Sequence, residues 1–339
     1  MSMISIIIPN YNGIDIINLC LQSIYDQIYS SIEIIVVDDC SSDDSVKYLK
    51  KEAEQGRIIL IQNNKNLGYS GSCFVGARKA LGEILIFMNS DAFFIDNFHL
   101  SKVLQKFKNN INLGVLGFFQ KNQDQSPQFV GSNVDIFLNI NPSYKKSDFM
   151  LNERNNHILM TGGACFAISK NLYNYIGGID KNYFLYVEEL DLMWRATLMG
   201  YDVLTSFDMP IIHLGGKSTK NEYTNQTNSK KIYFRERNVL MTMIKNYSLL
   251  SLLLILPLYY IFQVLEIIYL VFKRKFNVIK EYFNANYYVY SNIKLLLKKR
   301  NDIQNKRVIS DYTLFKSKKI VFSLFKIKHI FIYGIPKIK

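Results

Sequence analysis

Acidic and amide side chains gather in short runs along the first hundred residues: Pro9-Asn10-Tyr11-Asn12, Asp38-Asp39, Asn63-Asn64-Lys65-Asn66-Leu67-Gly68 and Asn89-Ser90-Asp91. Asn, Asp and Gly are also the ordinary residues of turns, so one such run alone carries no chemistry. Together the runs offer hydrogen-bonding groups for a polar ligand, with carboxylates at two points. No GxGxxG follows the first apolar run and no GxxxxGK[ST] occurs, so the glycine cradles of dinucleotide folds and P-loops are missing. A bound diphosphate then needs its charge neutralised another way. A divalent cation, Mn2+ or Mg2+, held by acidic side chains does this, because hard cations prefer carboxylate and phosphate oxygens. Asn89-x-Asp91 suits that task.

The runs are separated by the elements that must carry them. β-Branched stretches at 4–8, 33–37, 57–62 and 84–88 read as buried strands, and 14–28, 43–55, 70–81 and 97–109 as helices between them. Residues 112–119 add one more strand. This alternation predicts an α/β fold, Rossmann-like, with a mostly parallel sheet covered on both faces. Ligands of such sheets bind beyond the carboxyl ends of the strands, where all four polar runs fall. Residues 120–158 are polar and irregular, with Pro127 and Pro142, and read as an inserted hairpin or loop region. Order returns at 163–169 and in a helix over 187–199. There Leu190, Met193, Trp194, Thr197 and Leu198 form one apolar face, and Asp191 stands four residues before Arg195, the spacing of a helical ion pair.

The runs SIIIPNYNG, EIIVVDDCSSDDS, NNKNLGYSGS and GEILIFMNSD, followed by TGGACFAIS, GGIDKNYFLYVEELDLMWRA and IIHLGG, resemble the family 2 glycosyltransferases of the GT-A fold over residues 3–245. Bacterial rhamnosyl- and galactofuranosyltransferases are the nearest in flavour. The resemblance implies an inverting, metal-dependent hexosyltransferase that moves rhamnose or a similar hexose from a UDP- or dTDP-linked donor to a glycan or lipid-linked acceptor in cell-surface polysaccharide synthesis. Pro9, Tyr11 and Asp39, with Asp38 beside them, then contact base and ribose; Asn66 and Gly68 line the same pocket. Asn89-Ser90-Asp91 takes the place of the family's metal-binding DxD, with Asp91 as ligand and Asn89 and Ser90 toward the donor. The acidic pair falls on Glu188-Glu189, with Glu189 as general base and Asp191 as competitor for that role. His213, 24 residues after Glu189, matches a metal ligand. Cys73-Phe74 departs from the pattern where relatives often carry Asn, which puts those amide contacts in doubt.

The net charge of +13 is not spread evenly. Residues 273–339 hold 17 Lys/Arg against Glu281, Asp302 and Asp311, a balance of +14, so the remaining 272 residues sum to −1. Ahead of this tail, 20 of the 25 residues at 248–272 are apolar. As a helix they reach ~37 Å, enough to cross a bilayer, although Pro257, Gln263 and Glu266 interrupt them. A single span would put the basic tail outside, against the positive-inside tendency. The expectation is therefore a peripheral or re-entrant segment on the cytoplasmic face of the cell membrane. Its partner is an anionic lipid surface and not nucleic acid. Cys20, Cys40, Cys73 and Cys165 have no metal-site spacing and read as reduced thiols; no signal-peptide pattern precedes the first strand. The predicted organisation is a glycosyltransferase domain over 1–245, its nucleotide half at 1–119 and its acceptor and catalytic half at 120–245. A hydrophobic and basic helical region follows over 246–339. A homo-oligomer through the apolar run stays open. Two other classes compete: a nucleotidyltransferase on a related fold, which should show a glycine-rich basic loop after the first strand, and a non-catalytic membrane-binding protein, which leaves Asp91, Glu189 and His213 without a role.

Overall fold

The computed structural model describes residues 2–140, 158–215, 226–324 and 337–338. The stretch 141–157 of the predicted loop region, Gly216 of the IIHLGG run and most of the last fifteen residues of the basic tail lie outside the described residues. The chain opens as β1 (Ile4–Asn10), α1 (Ile17–Tyr25), β2 (Ile32–Asp38), α2 (Ser45–Glu54), β3 (Ile59–Gln62), α3 (Gly68–Lys79) and β4 (Ile84–Met88). These four strands are parallel, in the order β3-β2-β1-β4. β1 and β4 are buried along almost their whole length, as continuous apolar strands covered on both faces must be. Gly76 lets α3 close on the sheet, for a Cβ there would stand 2.5 Å from Cγ2 of Ile7. α1 is shorter than the predicted 14–28. The amides of Gly13 and Ile14 donate to Ser45 Oγ and Asp43, so the chain stays a loop tied to the start of α2 until Ile17.

Beyond β4 the sheet becomes mixed. β5 (Ala92–Phe94), α4 (His99–Asn109), β6 (Leu113–Lys121), β7 (Pro127–Phe129), β8 (Gly131–Ser132), β9 (Val134–Asp135), β10 (Met160–Thr161), β11 (Cys165–Ser169), α5 (Lys170–Tyr175), α6 (Glu188–Leu198) and β12 (Asp202–His213) follow. The sheet continues β4-β11-β6-β12-β5, with β11 antiparallel to both neighbours, β12 parallel to β6 and β5 antiparallel to β12. β11 and β5 start at the polar edge and run away from it, so the first residue of β5, just after the β4 turn, lies against the end of β12.

The C-terminal part comprises β13 (Gln226–Thr227), α7 (Ser229–Asn246), α8 (Leu249–Phe272), α9 (Phe276–Ser291), α10 (Ile293–Lys306), α11 (Asp311–Lys316), β14 (Ile320–Val321) and β15 (Lys337–Ile338). It packs into the main core and is not an appendage: Val289, Leu296, Ile303, Leu314 and Ile320 belong to the same apolar cluster as Trp194 and Val37. β14 also pairs with β9. Trp194, on the predicted apolar face, is buried edge-on against Tyr247, with ring centroids 4.8 Å apart. α8 buries Ile255, Tyr259, Gln263 and Leu270 and leaves Leu250, Leu253, Leu254, Ile261, Leu265 and Phe272 exposed. Gln263 and Glu266 face the protein, where Asn286 donates to Gln263 (2.8 Å) and Tyr282 Oη donates to Glu266 (3.1 Å).

Candidate active site

The turn after β4 fixes Asn89-Ser90-Asp91. The Asn89 amide donates to Ala164 O (2.8 Å), just before β11, and the Ala92 amide closes the turn on Asn89 O (3.1 Å). β5 then pairs with the end of β12, with Ala92 opposite His213. Leu214 donates its amide to Asp91 O (3.0 Å). The result brings two residues 122 positions apart together: His213 Nε2 lies 3.4 Å from Asp91 Oδ1, both side chains nearly buried. On the other side of the ring, Nδ1 lies 2.6 Å from Gln128 Oε1. An amide oxygen only accepts, so the assigned tautomer carries its proton on Nδ1. Gln128 itself is oriented by donating to His213 O and Asn122 Oδ1. The lone pair of Nε2 therefore faces a carboxylate oxygen, an arrangement of two acceptors that a cation would satisfy, and the outer partner fixing the ring is what metal-ligating histidines require. Asn89 Oδ1 is buried without a protein partner, a further unfilled acceptor in the same turn. Among the described residues no group of three or more His, Cys, Asp or Glu gathers. Asp91 and His213 could supply two ligands to a cation, leaving its other positions to ligand oxygens and water.

Glu188 and Glu189 begin α6, at the helix end where carboxylates are favoured. Glu189 rests against Gly163, where a Cβ would stand 2.6 Å from Glu189 Oε1; Gly163 adjoins Ala164, which holds Asn89. Gly163 of TGGA thus lets the base candidate approach the metal candidate through one short segment. Burial pushes the Glu189 carboxyl up to about 7. Glu188 is 2% exposed, one of its oxygens has no partner, and burial and then the charge of Glu189 raise it well above the carboxylate range. Asp191 does not stand in the cleft. It is fully buried, takes a two-nitrogen contact from Arg195 (3.0 and 2.8 Å), and lies 3.0 Å from Lys245 Nζ. Those cations hold it below the usual range despite its burial. An acceptor hydroxyl cannot reach it, so the helical pairing with Arg195 accounts for this residue. Lys245 also meets Asp180 (3.0 Å), which Lys299 reaches from α10 (2.7 Å).

The residues expected on the nucleotide side line the same edge. Tyr11 is 56% exposed, a free aromatic face, with half-buried Pro9 before it at the end of β1. Asp38 and Asp39 are buried and tie loops together. Asp38 accepts from Asn10, Ser41 Oγ and the Ser41 amide; Asp39 accepts from Asn63 and from the amides of Leu67 and Gly68 at 2.8 Å. Asn66 Oδ1 accepts from Gly68 N (3.0 Å). Gly68 has φ +71° and a Cβ there would collide with Phe184 O at 2.3 Å, so glycine is required. Ser90 lies beside Gly13. Cys73 is fully buried and burial pushes its thiol up, so it offers no contact in place of an amide. A surface hollow of about 840 Å³ lies at the opposite edge of the sheet around Gly82, Ile111 and Tyr201. It holds none of these residues.

The strap that carries the chain into α6 is strained. Phe184, Tyr186 and Val187 have φ of 64°, 72° and 74°, none of them glycine. Such conformations cost about 1–3 kcal/mol each and persist only where the surroundings impose them. Nothing in the local residue types announces this, and Gln128 is equally silent in the sequence, since its role arises from the pairing of β7 with β6.

The chain is similar in sequence and in fold to known proteins. An uncharacterized glycosyltransferase of Haemophilus influenzae is 26% identical over 251 residues, 70% of this chain and 77% of that protein. The Escherichia coli UDP-Glc:alpha-D-GlcNAc-diphosphoundecaprenol beta-1,3-glucosyltransferase WfaP is 37% identical over 95 residues, 28% of this chain and 38% of that protein. The chain thus spans well under half of some curated relatives it matches. In fold it is similar to Staphylococcus aureus TarS 1-349 in complex with UDP-GlcNAc (TM-score 0.55, 16% identity, 98% of this chain and 92% of that one). It is also similar to the mannosyltransferase PcManGT of Pyrobaculum calidifontis in complex with GDP-Man and Mn2+ (TM-score 0.53, 16% identity, 90% and 86%). The model of glycosyl transferase family 2 matches residues 5–177, half of the chain and both the Asn89-x-Asp91 turn and Gly163, and the chain belongs to that family.

Proposed function

We propose that this glycosyltransferase is a metal-dependent, inverting hexosyltransferase that moves rhamnose or a similar hexose from a UDP- or dTDP-linked donor to a lipid-linked or other surface glycan. The observation that carries the metal is the 3.4 Å approach of His213 Nε2 to Asp91 Oδ1 beside the unpartnered Asn89 oxygen. The cation solved with PcManGT and the lipid-linked acceptor named for WfaP support the same reading. Asp91 and His213 would hold a divalent cation, which supplies positive charge for the departing diphosphate. Tyr11 stacks on the base, and the loop that Asp39 ties presents Asn66 and Gly68 to the nucleotide. Glu189, ionised at neutral pH in part, takes the proton of the acceptor hydroxyl as it attacks the anomeric carbon from the face opposite the diphosphate, and the configuration inverts. A screen of UDP-, dTDP- and GDP-sugars for Mn2+-dependent hydrolysis tests this. One or more turned over with Mn2+ and none with EDTA is the expected result; no turnover of any would contradict it.

The same reading places the enzyme on the cytoplasmic face of the membrane, with 246–339 as the docking region. α8 turns an apolar face outward and its polar residues inward, and Lys273, Arg274 and Lys275 stand at its end. That pattern suits a helix lying in the headgroup layer, with aromatic Tyr260 and Tyr269 at its flank. Each basic residue near an anionic surface contributes about 1 kcal/mol at most. High salt should therefore weaken, not abolish, binding of the full-length protein to vesicles containing anionic lipid in a flotation assay. Complete release by salt would instead assign the apolar face to a homo-oligomer.

A further inference from the structure

We propose that Asn238 is a positioning residue for the reaction, holding the strap 184–187 in its left-handed path and so setting where Glu189 stands relative to the donor pocket. The proposal rests on Glu189 as the base. Asn238 lies on α7 and is fully buried. Its Nδ2 is 3.0 Å from Tyr183 O, 2.8 Å from Leu185 O and 2.7 Å from Tyr186 O. Its Oδ1 accepts from Arg237 Nε (2.9 Å), and Arg237 donates in turn to Asn182 O and Tyr183 O. A turn through three positive-φ residues leaves the carbonyls of Tyr183, Leu185 and Tyr186 pointing at α7, where each needs a donor. The two N–H donors of one amide lie within reach of all three, and Arg237 also donates to Tyr183 O. An aspartate of the same shape would set oxygens against oxygens.

The strap is pinned on its other side by the donor pocket. Ser70 donates its amide to Phe184 O (3.1 Å), and that carbonyl rests on Gly68. Phe184 also stacks on Phe234 of α7 at 4.8 Å. From Val187 the chain passes straight into Glu188-Glu189, with Asp191 donating its amide to Val187 O (2.9 Å). The nucleotide loop, the strap and the base thus form one connected path, and contacts from α7 hold Phe184, Tyr186 and Val187 in a conformation glycine would favour.

The test uses full-length enzyme with the donor found by the nucleotide-sugar screen. Asn238→Ala should lower kcat about 10- to 100-fold, since misplacement of about 1 Å has that effect, with donor Kd changed by less than about threefold. Val187→Gly added to it should recover kcat severalfold, because glycine takes the turn unaided. Gln304→Ala, which removes donors to Lys245 O and Asn246 O on the same helix, should lower Tm and leave kcat in place. Unchanged kcat in Asn238→Ala overturns the proposal, as does a loss that follows Tm equally in Gln304→Ala and gains nothing from Val187→Gly. Should Asn238→Ala fail to fold, the double variant decides: folded and active supports the proposal, and unfolded or inactive overturns it. Turnover surviving in Glu189→Gln would remove the base assignment itself, a separate result.

Discussion

Glu189→Gln should retain donor binding and lose about 10²–10⁴-fold in turnover, the usual contribution of a general base. The substitution keeps the shape that fits against Gly163 and removes only the proton acceptor. Because burial raises the Glu189 carboxyl to about 7, the wild-type rate should climb with pH through that value as the base ionises, and fall away below it as the base becomes protonated. The variant should lose this acid limb. Donor Kd by calorimetry and turnover across pH 5–9 measure both effects. If Glu189→Gln turns over normally and Asp191→Asn does not, the roles are reversed. Asp191→Asn is expected to act otherwise: it leaves Arg195 and Lys245 buried without their shared anion, so it should lower Tm by several degrees.

Cutting the chain after Asn246 should leave no cooperatively folded protein, although every proposed site residue remains. The cut removes Tyr247 from Trp194 and takes Val289, Leu296, Ile303, Leu314 and Ile320 out of the shared core. It also removes Arg300 from the carbonyls of Ile244 and Tyr247, and Lys299 from Asp180. Loss of one large core side chain costs about 2–5 kcal/mol, so losing several exceeds the ~5–15 kcal/mol that holds a typical domain together. Insolubility or a featureless melting curve is the expected readout. A soluble fragment with a sharp transition would show that 1–246 is a self-sufficient domain.

These two cases mark what the sequence made legible. β1, β2 and β4 are visible because parallel strands buried on both faces must be unbroken β-branched runs, and Asn89-x-Asp91 is visible because it follows one of them. Asp191 with Arg195 is a local spacing and is read directly. The proposed metal pair needed the resemblance, since only the antiparallel pairing of β5 with β12 brings His213 to Asp91. Gln128 and Asn238 act on backbone or rings reached through tertiary packing, and polar residues on a short strand or an apolar-faced helix announce no role. The composition shift at residue 246 marks exposed surface and charge. The residues that tie the C-terminal helices to the core recur seven apart at Val289, Leu296 and Ile303, a signal that outward-facing tyrosines and lysines obscure.

The central claim is a nucleoside-diphosphate site completed by a cation at Asp91 and His213, and thermal unfolding of the full-length protein tests it most directly. With UDP, dTDP or GDP at about 100 times Kd, binding contributes about 2.7 kcal/mol, a rise of about 4 °C for a chain of this size. That rise should appear with Mn2+, vanish in EDTA, and be absent with Mn2+ in both Asp91→Ala and His213→Ala while their own Tm without nucleotide stays near wild type. A nucleotide-induced rise that persists in EDTA, or in the Asp91→Ala protein, would contradict the account.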